Sequence, residues 1–249
     1  MKLTILGAGT CVPYPDYSPA GHLVEINDTP ILLDAGPGTV VRLAKMGVSY
    51  RDLSYIILTH LHPDHALDLL TFLQASNATP GWRRTEAVIL VGPRGLKETL
   101  ERLFDLFDGT APEGFPLEIH EMGAERLEFP TWKLETEFTG HTSTSLAYRI
   151  SDGRRSLVYT GDVGATQGIT RLAMGADLLL IECSLPQGWQ TLDHLTPEQV
   201  GEVASRAGVG KLVLTHLYPP ALETDLAAAV GEYFTGPIVV GRDGWSISL

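Results

Sequence analysis

The sequence predicts an α/β protein in which two similar halves pack face to face, with the β-sheets inside and the helices outside. Strand-like and helix-like segments alternate in both halves of the 249-residue chain, in similar proportions. The Pro- and Gly-rich stretches are short, as in ordinary loops, and neither a low-complexity linker nor a run of like charges marks a boundary. We therefore expect a single domain over residues 1–249.

Short β-branched, aromatic and aliphatic runs predict thirteen strands in two sets. The first set covers residues 2–6, 22–27, 30–34, 55–59, 87–91 and 117–120. The second set covers residues 132–138, 145–150, 156–160, 178–182, 211–215, 237–240 and 245–249.

Helical periodicity predicts five helices, at residues 38–46, 65–76, 94–107, 197–207 and 221–232. Two of them carry a start signal. Gly92-Pro93 precedes the third helix, and Thr196 is a good N-cap followed by Pro197 at the first helical position.

The composition argues against a protein that grips a long polyanion. The formal net charge is −12, whereas nucleic-acid binding normally requires a basic face because phosphate contacts supply most of the affinity. The basic residues are scattered, and the densest pairs are Arg83–Arg84 and Arg154–Arg155. A small anionic or neutral substrate is favoured.

The chain is expected to be cytoplasmic, without a membrane partner. No apolar run approaches the ~18 residues of a membrane span, and the N-terminus MKLTILGAGT lacks the apolar region of a signal peptide. The two cysteines, Cys11 and Cys183, form no disulfide framework or CxxC pair, which is typical of a reducing compartment.

Three predicted strands end in the same way, at a threonine followed closely by a metal-type side chain. YIILTH ends at His60, LVYTGD at Asp162 and LVLTH at His216. Ligands of open α/β sheets bind beyond the carboxyl ends of the strands. We expect these three ends to share one site.

The stretch LTHLHPDH concentrates four metal-type side chains within six residues. His60 and His62 are two apart and share one side of an extended segment. Pro63 breaks that path, and Asp64 and His65 open the next helix. Such a turn can aim the two pairs at two nearby points, as a centre with metals roughly 3.5–4 Å apart requires.

Residues from three later motifs, TGHTST, YTGD and LTHLYP, would complete such a centre: His141, Asp162 and His216. Five imidazoles and two carboxylates suit zinc and also accept manganese or iron. Two other histidines, His22 and His120, are expected to be ordinary core or surface imidazoles.

These motifs resemble the metallo-β-lactamase fold family. LTHLHPDHALDL matches its HxHxDH signature and LLDAGPGT, at 32–39, its upstream strand and turn. Within that superfamily the chain is similar to the ribonuclease Z branch over nearly its whole length. The matching segments are ILGAGTCVPYP near the start, GPRGLKETL at 92–100, GHTSTSLAYRI at 140–150, YTGD at 159–162, LLLIECS at 178–184 and the segment from 194 to 216 with the YPP that follows.

The resemblance implies an αββα sandwich with two divalent metal ions at one edge, between the sheets. It implies one ion held by His60, His62 and His141, a second held by Asp64, His65 and His216, and Asp162 as the bridge. His194 matches a family histidine near the reacting phosphate, and Glu182 an acidic residue after a strand. The implied catalytic residues are thus Asp64, His194 and Glu182.

The chemistry that follows is hydrolysis. A water between two divalent cations loses its proton near neutral pH and becomes a hydroxide nucleophile. His194, oriented by Glu182, is the candidate general acid for the leaving alkoxide.

One departure from the ribonuclease Z pattern concerns the substrate. That branch carries a long arm that clamps transfer RNA, inserted between the His141-type and Asp162-type motifs, but only residues 142–161 lie there in this chain. We expect an arm-less phosphodiesterase for a small phosphodiester or short nucleotide, not for long nucleic acid, and relatives suggest a homodimer. The 77–86 loop, NATPGWRRTE, could present an aromatic ring and two arginines to a phosphate, or be an ordinary solvated loop.

Three alternatives stay open. The same centre could hydrolyse a thioester, lactone or sulfate ester. It could hold iron for redox chemistry, although flavin-linked relatives replace one HxHxDH histidine by an acid and this chain does not. It could also be a metal-stabilised module without activity.

Overall fold

In the computed structural model, which describes residues 1–189 and 192–249, two seven-stranded sheets pack face to face. The first sheet contains β1 (Lys2–Gly7), β2 (Gly21–Ile26), β3 (Thr29–Leu33), β4 (Tyr55–Ile57), β5 (Val88–Pro93), β6 (Leu117–Met122) and β14 (Ser246–Ser248). The strand order is β14-β1-β2-β3-β4-β5-β6, and the strands from β3 to β6 run parallel.

The second sheet has the same size and a comparable arrangement. It contains β7 (Arg126–Glu128), β8 (Lys133–Phe138), β9 (Leu146–Ser151), β10 (Ser156–Tyr159), β11 (Leu178–Glu182), β12 (Leu212–Thr215) and β13 (Ile238–Val240). The order is β13-β12-β11-β10-β9-β8-β7, and the strands from β10 to β13 run parallel.

Helices cover the outer faces of both sheets. The first half contributes α1 (Thr39–Lys45), a 3-10 helix (Tyr50–Asp52), α2 (Pro63–Ala66), α3 (Asp68–Ala78) and α4 (Leu96–Leu106). The second half contributes α5 (Thr166–Leu172), α6 (Pro197–Ala207), α7 (Pro219–Leu222) and α8 (Leu226–Gly231). Within the described residues, no helix has the length and apolar character needed to cross a membrane.

The alternation of side-chain direction along the strands explains why each sheet lies between the other sheet and a layer of helices. In β11, Leu178 and Leu180 pack against the other sheet, whereas Leu179 and Ile181 pack under the helices of the second half. Successive side chains of a strand point to opposite faces, so a strand that is apolar throughout must be covered on both sides. The αββα sandwich predicted from the sequence is confirmed.

Several element boundaries differ from the sequence prediction for identifiable reasons. The predicted helix 65–76 begins at Pro63 and is interrupted near Leu67, because the Asp68 amide donates to the Ala35 carbonyl, 2.8 Å away, instead of continuing the helix. The predicted helix 221–232 is two short helices, the second capped by the Asp225 side chain. The 3-10 helix, β7 and α5 were not predicted; each has at most seven residues and gives little periodicity.

Candidate metal centre

Parallel neighbouring strands carry the predicted residues to one edge of the sandwich. In the first sheet, β3 is followed by Asp34 and β4 leads to His60. In the second sheet, β10, β11 and β12 deliver Asp162, Glu182 and His216 side by side. The two sheets approach closely here: a Cβ on Gly161, which has φ +55°, would lie 2.6 Å from the Thr59 Cβ.

The first group of converging side chains is His60, His62, His141 and Asp162. The His62 Nδ1 lies 3.0 Å from the His60 Nε2 and 3.2 Å from the His141 Nε2. Nitrogens bound about 2.0–2.1 Å from a tetrahedral zinc lie about 3.4 Å apart. The three imidazoles therefore have the spacing of ligands around one ion.

The second group is Asp64, His65 and His216. The Asp64 Oδ2 lies 3.8 Å from the His65 Nε2 and 3.5 Å from the His216 Nε2. All three residues are buried. Two imidazoles and a carboxylate at this spacing could hold a second cation.

Asp162 faces both groups with different oxygens. Its Oδ2 lies 3.6 Å from the Nε2 atoms of both His60 and His141. Its Oδ1 lies 3.3 Å from the His65 Nε2 and 3.4 Å from the His216 Nε2. A carboxylate placed in this way can join two cation sites.

Unpaired buried atoms indicate that the cluster fits a cation. The Nε2 atoms of His65 and His216 and the Asp162 Oδ1 are buried and lack a hydrogen-bond partner among the described residues. Buried polar atoms are normally paired, so three orphans aimed at one point call for a ligand. The His and Asp donor set suits a divalent metal.

Asp34 organises the buried side of the cluster. Its Oδ2 accepts hydrogen bonds from the His65 Nδ1 at 2.7 Å, the Thr59 hydroxyl at 2.8 Å and the Tyr159 hydroxyl at 2.7 Å. Because the His65 Nδ1 donates, its Nε2 lone pair faces the cluster. Asp34 has φ +55°, a left-handed conformation that non-glycine residues adopt at a cost.

Three further hydrogen bonds fix other rings. The His60 Nδ1 donates to the Thr59 hydroxyl at 3.0 Å, and the His141 Nδ1 to the Asp193 carbonyl at 2.8 Å. The His216 Nδ1 donates to the Ser184 hydroxyl at 3.0 Å. Each bond leaves the Nε2 lone pair of that ring facing the cluster, as metal ligation requires.

The charges of the cluster depend strongly on one another. Burial, together with the adjacent His65, holds the pKa of His60 well below its usual range. Burial also disfavours the charged form of His65, but Asp162 and Asp34 outweigh it and raise its pKa. A cation at this point would replace the proton that these carboxylates otherwise hold on His65.

His194 and Glu182 lie together beside the second group. The fully buried Glu182 accepts a hydrogen bond from the His194 Nδ1 at 3.1 Å. The other carboxylate oxygen accepts the Val163 amide, which fixes the orientation of the acid. Burial lowers the pKa of His194, but the hydrogen bond and charge of Glu182 outweigh burial and raise it.

His194 also lies against the cluster. Its ring centroid is 5.1 Å from that of His141 and 5.5 Å from that of His216. It forms a third group of metal-type side chains with Asp162 and His216. Its geometry thus permits either a proton-transfer or a ligand role, which metal analysis of a His194 variant separates.

Ser184, which sequence reasoning missed, links the Glu182–His194 pair to His216 of the second group. Its hydroxyl donates to Glu182 and accepts from the His216 Nδ1. We expect Ser184→Ala to weaken metal binding by about 10- to 100-fold, the usual effect of losing a partner of a ligand imidazole. Competition with a chromophoric chelator measures this.

Ser76→Ala is the matched control, since Ser76 is equally buried and its hydroxyl has no partner in the described part of the chain. Equal affinities of the two variants would contradict a role for Ser184 in metal binding.

The remaining singled-out histidines lie outside the cluster. His22 is fully buried behind it, with its ring 4.8 Å from that of Tyr159, and burial lowers its pKa to about 3. His120 lies on β6, two strands from β4. His120 agrees with the expected ordinary imidazole, whereas both ring nitrogens of the buried His22 lack a hydrogen-bond partner among the described residues.

The 77–86 loop does not present two arginines to solvent. Arg84 is buried, donates to the Tyr50 and Arg51 carbonyls at 3.0 and 3.1 Å, and lies over the rings of Phe72, Trp82 and Phe115. Arg83 alone is exposed. The loop is thus mainly a structural anchor for the first half.

Comparison with known proteins identifies the family and the fold. A family model described as "Beta-lactamase superfamily domain" matches residues 29–217. Ribonuclease Z from Mycobacterium bovis is 31% identical over 276 aligned positions, which cover 98% of this chain and 96% of that protein.

Solved structures show the same fold. The metallo-β-lactamase fold protein YhfI from Bacillus subtilis superposes with a TM-score of 0.86 at 23% identity, over 99% of this chain and 98% of that one. Human tRNase Z, short form, gives a TM-score of 0.80 at 22% identity, over 100% and 99% of the two chains. The protein described here belongs to the metallo-β-lactamase superfamily, and within it to the family of the ribonuclease Z proteins.

Proposed function

We propose that this protein is a dinuclear metal-dependent phosphodiesterase. The proposed ligands of one ion are His60, His62 and His141, those of the other are Asp64, His65 and His216, and Asp162 is the bridge. The observation that carries the proposal is the placement of the two Asp162 oxygens, 3.3 to 3.6 Å from two separate sets of imidazole nitrogens.

Zinc is the proposed metal, with manganese and iron as alternatives. Imidazole nitrogens and carboxylate oxygens form typical zinc sites, and zinc tolerates the low coordination number that three such side chains provide. Burial of Cys183 raises the pKa of its thiol, and its side chain packs in the apolar core of the second half. No thiolate ligand is needed.

When bound, the two ions would acidify a water nucleophile and offset negative charge on a phosphoryl group. Asp162 would join the two ions, and Asp64 would contribute a second carboxylate to one of them. His194 delivers a proton from its Nε2 to the leaving oxygen, while Glu182 holds its Nδ1. The raised pKa of His194 keeps this proton available near neutral pH.

The proposed substrate is a small phosphodiester or a short nucleotide. The name ribonuclease Z of the curated relatives supports phosphodiester chemistry. Between the His141 and Asp162 motifs, however, lie only β9, β10 and short turns, which leaves no place for a transfer-RNA arm. The 276 aligned positions exceed the 249 residues of this chain, so the Mycobacterium bovis relative carries insertions that it lacks.

We further infer a cytoplasmic protein, supported by two free cysteines, one exposed and one buried. Homodimerisation stays a prediction, which the elution volume in size-exclusion chromatography with light scattering tests directly.

Metal analysis combined with a substrate panel tests the function. We expect about two zinc ions per chain and cleavage of bis-p-nitrophenyl phosphate and of 2′,3′-cyclic nucleotides that EDTA abolishes and zinc restores. Preference for thioesters, lactones or aryl sulfates would replace the diester assignment by another hydrolysis. A single iron with redox activity, or metal without any turnover, would overturn the proposal.

A further inference from the structure

Tyr218 stands beside the point where the two groups of metal-type side chains and His194 meet. Its ring centroid lies 5.5 Å from that of His194 and 5.7 Å from that of His216, edge to face with both. The metal-type atoms of His194, His216 and Asp162 lie within 4.8 Å of one another. Tyr218 therefore borders the space in which a phosphoryl group would be held.

The backbone around Tyr218 is fixed by contacts with two other segments of the same edge. The Leu217 amide donates to the Ala8 carbonyl at 2.9 Å, and the Tyr218 amide donates to the Ser184 carbonyl at 3.3 Å. Two prolines follow at the start of α7, where their fixed φ suits the first helical turn. The half-buried Tyr218 ring is thus positioned before any ligand arrives.

The hydroxyl group of Tyr218 has only a weak partner in the described part of the chain. Its hydrogen-bond contact there is the Cys11 sulfur, 3.7 Å away. Sulfur is a poor acceptor, and the hydroxyl of a packed tyrosine usually finds a better one. Cys11 is exposed, so the hydroxyl points toward the protein surface. Its proton is available to a stronger acceptor that enters from solvent.

Most other hydrogen-bond donors of the cluster already have a protein acceptor. Four of the five imidazoles proposed as ligands donate their Nδ1–H to the Thr59 hydroxyl, the Asp34 carboxylate, the Asp193 carbonyl and the Ser184 hydroxyl. The His194 Nε2 is the proposed donor to the leaving oxygen. A donor to the rest of the phosphoryl group must come from another side chain.

The chemistry of a phosphodiester creates a need for such a donor. The phosphorus carries two nonbridging oxygens, and their negative charge changes as the leaving group departs. An anionic oxygen that is removed from water without a partner costs free energy. A phenol is a suitable partner, because it stays protonated at neutral pH and adds no charge of its own.

We propose that the Tyr218 hydroxyl donates a hydrogen bond to a nonbridging oxygen of the substrate phosphoryl group and stabilises its negative charge in the transition state. This rests on the proposed function and adds a catalytic residue to the same site. The role differs from that of His194, which acts on the leaving oxygen. Tyr218→Phe tests it directly, because the variant keeps the ring against His194 and His216 and removes only the hydroxyl.

Steady-state kinetics separate the two roles. In Tyr218→Phe we expect kcat/KM to fall by about 100-fold, the usual cost of losing one donor to an oxygen that is charged in the transition state. The loss should be the same for p-nitrophenyl and for alkyl leaving groups, because the proposed bond is to an oxygen that does not leave. A loss that follows the leaving group would instead place the hydroxyl with His194.

Sulfur substitution locates the bond on the substrate. The two diastereomers of thymidine 5′-(p-nitrophenyl phosphorothioate) carry sulfur, a weak acceptor, at one or the other nonbridging position. Only one of them places sulfur opposite the Tyr218 hydroxyl. We therefore expect the ratio of the two kcat/KM values to differ by about fivefold between the wild type and Tyr218→Phe. An unchanged ratio would contradict the contact.

Binding gives a readout that does not depend on turnover. Diphenyl phosphate should bind zinc-loaded Tyr218→Phe about tenfold more weakly than the wild type in calorimetry, the usual effect of one hydrogen bond to a charged group. The exposed Cys11 thiol reports the position of the ligand. Bound diphenyl phosphate should slow its alkylation by iodoacetamide, while the buried Cys183 stays unlabelled.

Tyr233→Phe is the matched control. Tyr233 is 37% exposed and packs on the outer side of the second half, where a Cβ on Gly201 of α6 would lie 2.5 Å from the Tyr233 Cβ. Equal kinetics and equal diphenyl phosphate affinities of Tyr218→Phe and Tyr233→Phe would overturn the inference, as would loss of zinc from Tyr218→Phe. A wild type that cleaves no diester would refute the proposed function instead, and the binding affinities would still decide the role of Tyr218.

Discussion

Replacing Asp162 by asparagine is expected to abolish metal-dependent diester cleavage, with kcat/KM lowered by about 10⁴-fold, or about 5.5 kcal/mol of transition-state stabilisation. The substitution keeps the shape of the side chain and removes the charge shared by both proposed ions. It leaves five imidazoles around one remaining carboxylate, Asp64. We expect metal content per chain to fall from two toward one or none, measured by elemental analysis beside the kinetics.

Asp177→Asn provides the control. Asp177 is a partly exposed aspartate that pairs with Arg155 at 2.6 Å, at the start of β11 and so at the opposite end of that strand from Glu182. Its substitution should leave metal content and kcat/KM unchanged. If Asp162→Asn kept two ions and activity within tenfold of the wild type, the bridging role would be wrong.

His194→Ala is expected to lower kcat by about 10²–10⁴-fold, the typical contribution of a general acid, with two ions retained. The size of this loss of kcat should depend on the leaving group. An alkoxide needs the proton, so alkyl esters should show the full loss. p-Nitrophenolate leaves readily without protonation, and cleavage of bis-p-nitrophenyl phosphate should fall much less.

His120→Ala, on β6, serves as the matched histidine control and should change neither kcat nor metal content. Loss of one ion in His194→Ala would identify His194 as a ligand. A loss of kcat independent of the leaving group would exclude the general-acid role even with the metal retained.

The fold could be predicted from the sequence because most of its strands are short, continuous apolar runs bounded by turn residues. Strands such as LLLIE at 178–182 are buried on both faces and apolar throughout, and their positions alone imply two covered sheets. The 3-10 helix, β7 and α5, of three to seven residues, escaped prediction because they give little periodicity. The break in the predicted helix 65–76 also escaped it, because it depends on a hydrogen bond from the Asp68 amide to the distant Ala35 carbonyl.

The candidate ligands could be found from sequence because metal chemistry restricts residue type and spacing. The side chains that orient them could not. Asp34, Ser184 and Tyr159 are ordinary residues, and their hydrogen bonds to His65, Glu182 and Asp34 become visible only when strands from both sheets meet.

The origin of the proposed ligands would give the metal ions a role in stability. Each proposed ion takes side chains from both sheets: His60 and His62 with His141, and Asp64 and His65 with His216. An ion in this position would crosslink the two halves of the sandwich through coordinate bonds, as a disulfide does through a covalent one. Its binding free energy adds to that of folding. Chelation would therefore lower the stability of the fold as well as remove the catalytic ions. The loss of stability would fall at the edge where the two sheets together position the ligands.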